Sequence, residues 1–173
     1  MMKKSKPFVA VLMGSDSDFQ VMQYTLEILD KFGIPREVKI TSAHRTPEAT
    51  HAYVKEADAR GCAVFIAAAG LAAHLAGTIA GLTVKPVIGV PVDGGSLGGM
   101  DALLSTVQMP AGVPVACVAI GKAGAKNAAY LAVQILAQSN KALTRLLLED
   151  RLENARLIRG KDKSLNKLHN KKS

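Results

Sequence analysis

The feature that most constrains this fold is an alternation of short apolar runs with stretches of helical spacing. The runs are Phe8 to Met13, Glu37 to Thr41, Ala63 to Ala68, Pro86 to Val90 and Val115 to Ile120. Their length and β-branched content suit strands buried on both faces. Between them, Asp18 to Phe32 places Phe19, Met22, Leu26 and Leu29 on one helical face and stops at Gly33, with Pro35 beyond. Pro47 to Arg60 reads as a helix with Thr46 as its N-cap and proline at its first position. Ala72 to Ala80, Met100 to Val107 and Ala123 to Gln138 complete the set. Strands alternating with helices imply a parallel sheet with right-handed crossovers. The expected architecture is α/β: a three-layer αβα sandwich, flavodoxin-like in topology, on a central parallel sheet of about five strands.

Composition agrees. Aromatic residues are 4% of the chain and tryptophan is absent, while 49% of residues are hydrophobic, mostly small or aliphatic. Such side chains let helices pack closely on both faces of a sheet, and 173 residues suffice for one core. No apolar run reaches membrane-spanning length, and the lysines of residues 1–6 have no signal-type apolar core behind them. Cys62 and Cys117 lie within apolar runs, as buried reduced thiols do. A cytoplasmic protein is expected, without a membrane partner.

The net charge of +8 is unevenly placed. Residues 151–173 hold eight Lys or Arg against two acids, leaving only +2 for the first 150 residues. A basic tail without aromatics on a nearly neutral domain is a poor nucleic-acid signature. No nucleic-acid partner is expected. A last helix over about 140–160 carries Leu143, Leu146, Leu147, Leu152, Leu157 and Ile158, suited to packing on its own domain or on a second subunit. One domain is therefore expected over 1–160, followed by a basic, disordered tail over 161–173.

Three loops at strand ends carry the chemistry, where open α/β sheets hold ligands. The first, Gly14-Ser15-Asp16-Ser17-Asp18, offers a tight turn, free N–H groups and hydroxyls at a helix start, a seat for phosphate. A carboxylate in that turn suits ribose hydroxyls, although Ser15 or Asp16 also reads as a plain helix cap. The loop matches neither the dinucleotide fingerprint nor a P-loop. The second, Ser42-Ala43-His44-Arg45-Thr46-Pro47, joins a proton carrier to a bidentate anion clamp. The third, Gly70-Leu71-Ala72-Ala73-His74-Leu75-Ala76-Gly77, is small enough for a flat ligand to approach the backbone. In it, His74 reads equally as a second acid–base group or a structural hydrogen-bonder, whereas His51 and His169 read as solvent-facing. Asp93 to Gly99 is a glycine-rich loop, either a cover for the site or a connection.

These segments, with Gln108-Met-Pro110 and Ala119-Ile-Gly-Lys-Ala-Gly124, resemble one family in order and spacing over roughly residues 8 to 140. It is the 5-(carboxyamino)imidazole ribonucleotide mutase family of purine biosynthesis. The resemblance implies an isomerase that moves a carboxylate from the exocyclic nitrogen of its ribonucleotide substrate to ring C4. It further implies a homo-octamer with sites at subunit junctions and no metal or organic cofactor. Residue by residue, it implies His44 as the proton-transfer group, Ser15 and Arg45 as phosphate ligands and Asp18 as the ribose ligand. Ser17, Ser42, Gly70, Ala72, Ala73, His74 and Leu75 complete the implied substrate site.

A second branch of that family carboxylates aminoimidazole ribonucleotide directly with CO2. There lysine typically follows the histidine, and the third loop carries an Arg-Ser-Asn run. Arg45 and Ala72-Ala73-His74 resemble the mutases instead. Leu71 and Ala76 stand where the family commonly has glycine and proline, and Leu71 adds bulk beside the carboxylate pocket. The alternatives are the direct carboxylase, a non-catalytic nucleotide-binding module on the same fold, and an RNA-binding role for the tail.

Overall fold

Six consecutive buried residues, Phe8–Met13, form the first strand, β1. Such a run fits only between two helical layers, and its alternation decides which side chain meets which layer. Phe8, Ala10 and Leu12 join Val54, Phe65, Leu75 and Ile79 in one cluster. The computed structural model describes residues 7–169. It orders β1, β2 (Arg36–Ile40), β3 (Cys62–Ala69), β4 (Val87–Pro91) and β5 (Ala116–Cys117) as β2-β1-β3-β4-β5, every pairing parallel. The helices are α1 (Phe19–Lys31), α2 (Pro47–Ala59), α3 (Leu75–Ala80), α4 (Met100–Val107), α5 (Gly121–Ala137) and α6 (Lys141–His169), with a 3-10 turn at Asp16–Asp18. The expected αβα sandwich on five parallel strands is what forms.

Local contacts hold the layers. Thr25, fully buried on α1, donates from Oγ1 to the Ala125 carbonyl of α5 at 2.7 Å. The edge strand β2 is tied to α2 through Glu37, which accepts from Tyr53 at 3.0 Å and from both terminal nitrogens of Arg60. The Arg60 guanidinium holds the Glu37 carboxyl below the usual carboxylate range. Burial pushes the Cys62 thiol up to about 11, so this cysteine is inert filling within the core, as its apolar run implied. Cys117 is also free, but only half-buried.

Three elements differ from expectation. β5 covers Ala116–Cys117 rather than Val115 to Ile120. It is an edge strand facing only Ile88 and Gly89, and the Val118 N–H completes the contact by reaching the Gly89 carbonyl at 3.0 Å. The apolar character of the longer run reflects packing, since Val115 lies against the core cluster without extending the ladder. α3 starts at Leu75 rather than Ala72, because the chain bends through residues 71–74, beginning with a left-handed Leu71 at φ 54°, before helical geometry sets in. Finally, α6 does not stop near Gly160; it continues to His169. Gly160 lowers helix propensity, yet its surroundings at 161–168 are dominated by helix-compatible Lys, Asp, Ser and Leu. Of the disordered tail expected over 161–173, residues 161–169 are thus helical, while 170–173, like the His169 side chain, lie outside the described residues.

The chain divides into two compact units, up to Val133 and from Gln134 onward. In the second, Asn140 caps α6, its side-chain oxygen accepting from the Ala142 and Leu143 N–H groups at 3.1 and 3.3 Å. Leu146, Leu148, Leu152, Leu157, Ile158 and Leu165 remain exposed along that helix. Among the described residues, no helix is long and apolar enough to cross a membrane.

Candidate functional site

The chain order makes a crevice before any side chain is considered. β1 leads to β2 on one side, and the chain then returns to place β3 on the other. At such a switch point the loops leaving the strands part, opening a groove outside the carboxyl ends. Backbone bonds carry the ladder one step past the strands. Gly14 N–H reaches Ala68 O at 3.1 Å, Thr41 N–H reaches Met13 O at 2.9 Å and Val92 N–H reaches Ala69 O at 2.9 Å. Four loops are thus launched side by side. Between them lies a cleft of about 660 Å³, a size suited to a small organic ligand.

The first loop folds on itself. Ser15 Oγ accepts from the Ser17 N–H at 3.4 Å, while the Asp18 carboxylate accepts from the Ser15 N–H at 3.1 Å. This reciprocal pair is a capping box, so Ser15 does cap the turn as one reading held. It also lines the cleft, together with Ser17 and Asp18. Asp18 is only 7% exposed. Burial raises its carboxyl above the usual range, against the opposing pull of the Ser15 and Gly14 N–H groups. A ligand hydroxyl donating to Asp18 would supply the hydrogen bonding that burial removes.

The second loop is held by threonines. Thr41 Oγ1 lies 2.7 Å from Thr50 Oγ1 and 3.3 Å from Thr46 Oγ1. Thr46 occupies the N-cap position of α2, but its hydroxyl does not cap the helix. It turns back to Ser42, accepting from the Ser42 N–H at 3.0 Å. The Arg45 N–H in turn donates to Ser42 Oγ at 3.2 Å. With the backbone so fixed, Arg45 swings its guanidinium across β1 and donates to the Gly14 carbonyl at 3.3 Å. A guanidinium, a group able to clamp an anion, therefore rests on the loop that offers free N–H groups and hydroxyls.

His44 points the other way. Its Nε2 lies 2.7 Å from His74 Nδ1, the rings edge to face with centroids 4.8 Å apart. One nitrogen of that pair donates the proton and the other accepts it with its lone pair. Both rings are exposed to the cleft. The bond makes His74 a direct hydrogen-bonding partner of His44 within the site. His51 is exposed and takes no part in the cleft.

Of the residues expected at the site, Ser15, Ser17, Asp18, Ser42, His44, Arg45, Gly70, Ala72, His74 and Leu75 all line the cleft. Ala73 is the exception. It is buried at 2% exposure and does not line the cleft, unlike Leu71, Ala72 and His74 around it. Leu71, Val92, Asp93, Gly94 and Gly95 line it as well. Asp93 was not expected, although its position just past β4 is the signal that marked the other loops. Its carboxylate faces the start of α5: a Cβ on Gly121 would lie 3.0 Å from Asp93 Oδ1. A carboxylate is favoured at that positive helix end. The glycine-rich segment after β4 is therefore a wall of the cleft and not a remote connection.

Among the described residues no group of three or more His, Cys, Asp or Glu converges as a metal site would. The cleft offers an imidazole pair, a guanidinium, hydroxyls, a buried carboxyl and apolar walls. That set is suited to gripping a phosphorylated ribose at one end and moving a proton at the other.

Known proteins carry the same pattern. A family model described as AIR carboxylase matches residues 8–156. The N5-carboxyaminoimidazole ribonucleotide mutase of Mycobacterium tuberculosis is 52% identical over 168 residues, covering 96% of this chain and 94% of its own. The mutase of the same name from Pyrococcus horikoshii is 58% identical over 135 residues, covering 78% and 75%. The crystal structure of Treponema denticola PurE superposes with a TM-score of 0.84 at 32% identity, over 92% of this chain and 99% of that one. Sheet order, cleft and sequence thus converge, and the chain belongs to the AIR carboxylase family.

Proposed function

We propose that this chain is an isomerase moving a carboxylate from the exocyclic nitrogen of 5-(carboxyamino)imidazole ribonucleotide to ring C4. The product is 4-carboxy-5-aminoimidazole ribonucleotide, and the step belongs to de novo purine (IMP) synthesis in the cytoplasm. The observation that carries this reading is the hydrogen-bonded pair His44–His74 in one cleft with the Gly14–Asp18 loop and Arg45. The high identity to mutases from bacteria and archaea supports it along nearly the whole chain.

The chemistry follows from those residues. Ser15 and Arg45 hold the phosphate and Asp18 accepts from a ribose hydroxyl, which fixes the imidazole ring against the second and third loops. Protonated His44 gives its proton to the exocyclic nitrogen as the N–C bond breaks; the bonding pair stays on nitrogen and CO2 is released. The electron-rich C4 then attacks the CO2 carbon, forming the new C–C bond. Neutral His44 takes the proton that C4 loses and is ready again. One imidazole serves as acid and then base, giving a proton at one step and taking one at the next. His74 holds the ring's orientation through the 2.7 Å bond. Small walls at Gly70, Ala72 and Leu75 keep CO2 close to C4, so capture is a matter of proximity.

Turnover of the carboxyamino substrate by purified protein in CO2-free buffer, without bicarbonate or ATP, is expected to give the C4 carboxylate. Arg45 beside His44 and the apolar third loop favour this over direct carboxylation, for which the rate would scale with added bicarbonate.

A homo-octamer completes the reading. Its support is the exposed leucines of α6 and a second apolar stripe, Leu97, Met100, Leu104 and Val107, each about half exposed or more on and before α4. Light scattering at micromolar concentration is expected to give a mass near eight chains; a monomer or dimer would contradict it.

A further inference from the structure

Leu71 is the one non-glycine residue among those described with a positive φ, at 54°. Glycine adopts that backbone freely, whereas a leucine there is strained. Its side chain is also 56% exposed in the free chain, which forgoes the usual reward of an apolar group. Strain and exposure at one residue in a ligand cleft call for a reason in the side chain itself. The geometry supplies one. Leu71 Cδ2 lies 2.6 Å from where a Cβ on Gly95 would stand, so the leucine methyl packs into the space beside the bare Gly95 backbone. Gly95 sits in the loop after β4, and both residues line the cleft. The two loops meet here, bringing an apolar methyl against bare backbone at the rim.

We infer that Leu71 and Gly95 form a clasp across the cleft, which retains the CO2 set free between cleavage of the N–C bond and attack by C4. The inference rests on the carboxylate-transfer reading above and assigns it a specificity-determining residue. CO2 is small, neutral and poorly held by polar groups, so its retention depends on enclosure and not on a charge. A branched apolar side chain at the rim gives that enclosure. The glycines at 94 and 95 let the opposing strand of loop give way when the ribonucleotide enters. The bulk of Leu71 therefore tightens the carboxylate pocket.

The test measures how the bound intermediate partitions. Wild type, Leu71→Gly and Leu71→Ala are each given the carboxyamino substrate in CO2-free buffer. Free aminoimidazole ribonucleotide and C4 carboxylate are then counted above an enzyme-free blank. The same proteins are run with 13C-bicarbonate to score external carbon in the product. Leu71→Gly folds without strain at this φ, and Leu71→Ala keeps the strain while losing the methyls. Both are expected to raise the released-amine fraction and the 13C incorporation by about fivefold or more, the scale on which an apolar contact discriminates. The Michaelis constant is expected to change by less than about twofold, since the phosphate end is untouched. A residue acting only through stability would shift Tm and leave the partition alone. Wild-type partition in both variants overturns the clasp and leaves the carboxylate-transfer reading standing. No C4 carboxylate from wild type overturns that reading, and the clasp with it.

Discussion

Replacing His44 with asparagine is expected to lower kcat by roughly 10²–10⁴-fold, the contribution of a positioned acid–base group. The loss should fall at the upper end, because one ring makes both proton transfers. Asparagine stops short of the Nε2 position that meets His74, but the threonine and Ser42 bonds that fix the second loop do not involve the ring, so the loop stays in place. Binding of the ribonucleotide, measured by calorimetry, is expected to persist, since Ser15, Asp18 and Arg45 are on other arms of the cleft. A variant within about tenfold of wild type would assign the proton to another group.

The largest effect on stability is expected at Gly124. The chain turns sharply at Gly121, with φ 67°, and α5 then passes so close to the preceding loop that a Cβ at Gly124 would lie 1.6 Å from the Ala119 carbonyl oxygen. Because the obstacle is backbone, no rotamer change relieves it. Gly124→Ala must push α5 away from Ala119, disturbing the start of the helix that faces Asp93 and packs Ala125 and Ala128 into the core. Overpacking of this kind costs at least about 3 kcal/mol. At this chain length that corresponds to a fall in Tm of roughly 6–12 °C, read by differential scanning calorimetry. Gly160→Ala, with open space around the glycine on α6, serves as the control and is expected to leave Tm unchanged or slightly raised.

Both predictions touch residues whose importance was legible in sequence to different degrees. Strand periodicity and glycine stops placed β1 and α4 to the residue, because burial on both faces and helix capping are written in local chemistry. The strand-end rule brought His44, Arg45 and the Gly14–Asp18 loop to one place. Ala73 and Leu71 were not legible in that way. Whether a residue faces a cleft or the core within a bend depends on φ, and a left-handed leucine has no signature in a sequence pattern. The His44–His74 bond joins residues 30 apart, which only the sheet order brings together. Asp93 was hidden differently: its flanking glycines read as a flexible connection, while its actual neighbour, the start of α5, is 28 residues on. The long α6 shows the reverse case, where one glycine suggested an end that the surrounding helix formers override.

In the proposed reaction the carboxylate leaves nitrogen and arrives at C4 without passing through solvent. The most direct measurement uses carboxyamino substrate labelled with 13C in its carboxylate, turned over in buffer holding unlabelled bicarbonate. Mass spectrometry of the product then reports where its carboxylate carbon came from. Retention of the label in the C4 carboxylate, at a rate indifferent to bicarbonate concentration, is the predicted result. Product carrying unlabelled carbon, formed in proportion to added bicarbonate, would contradict it.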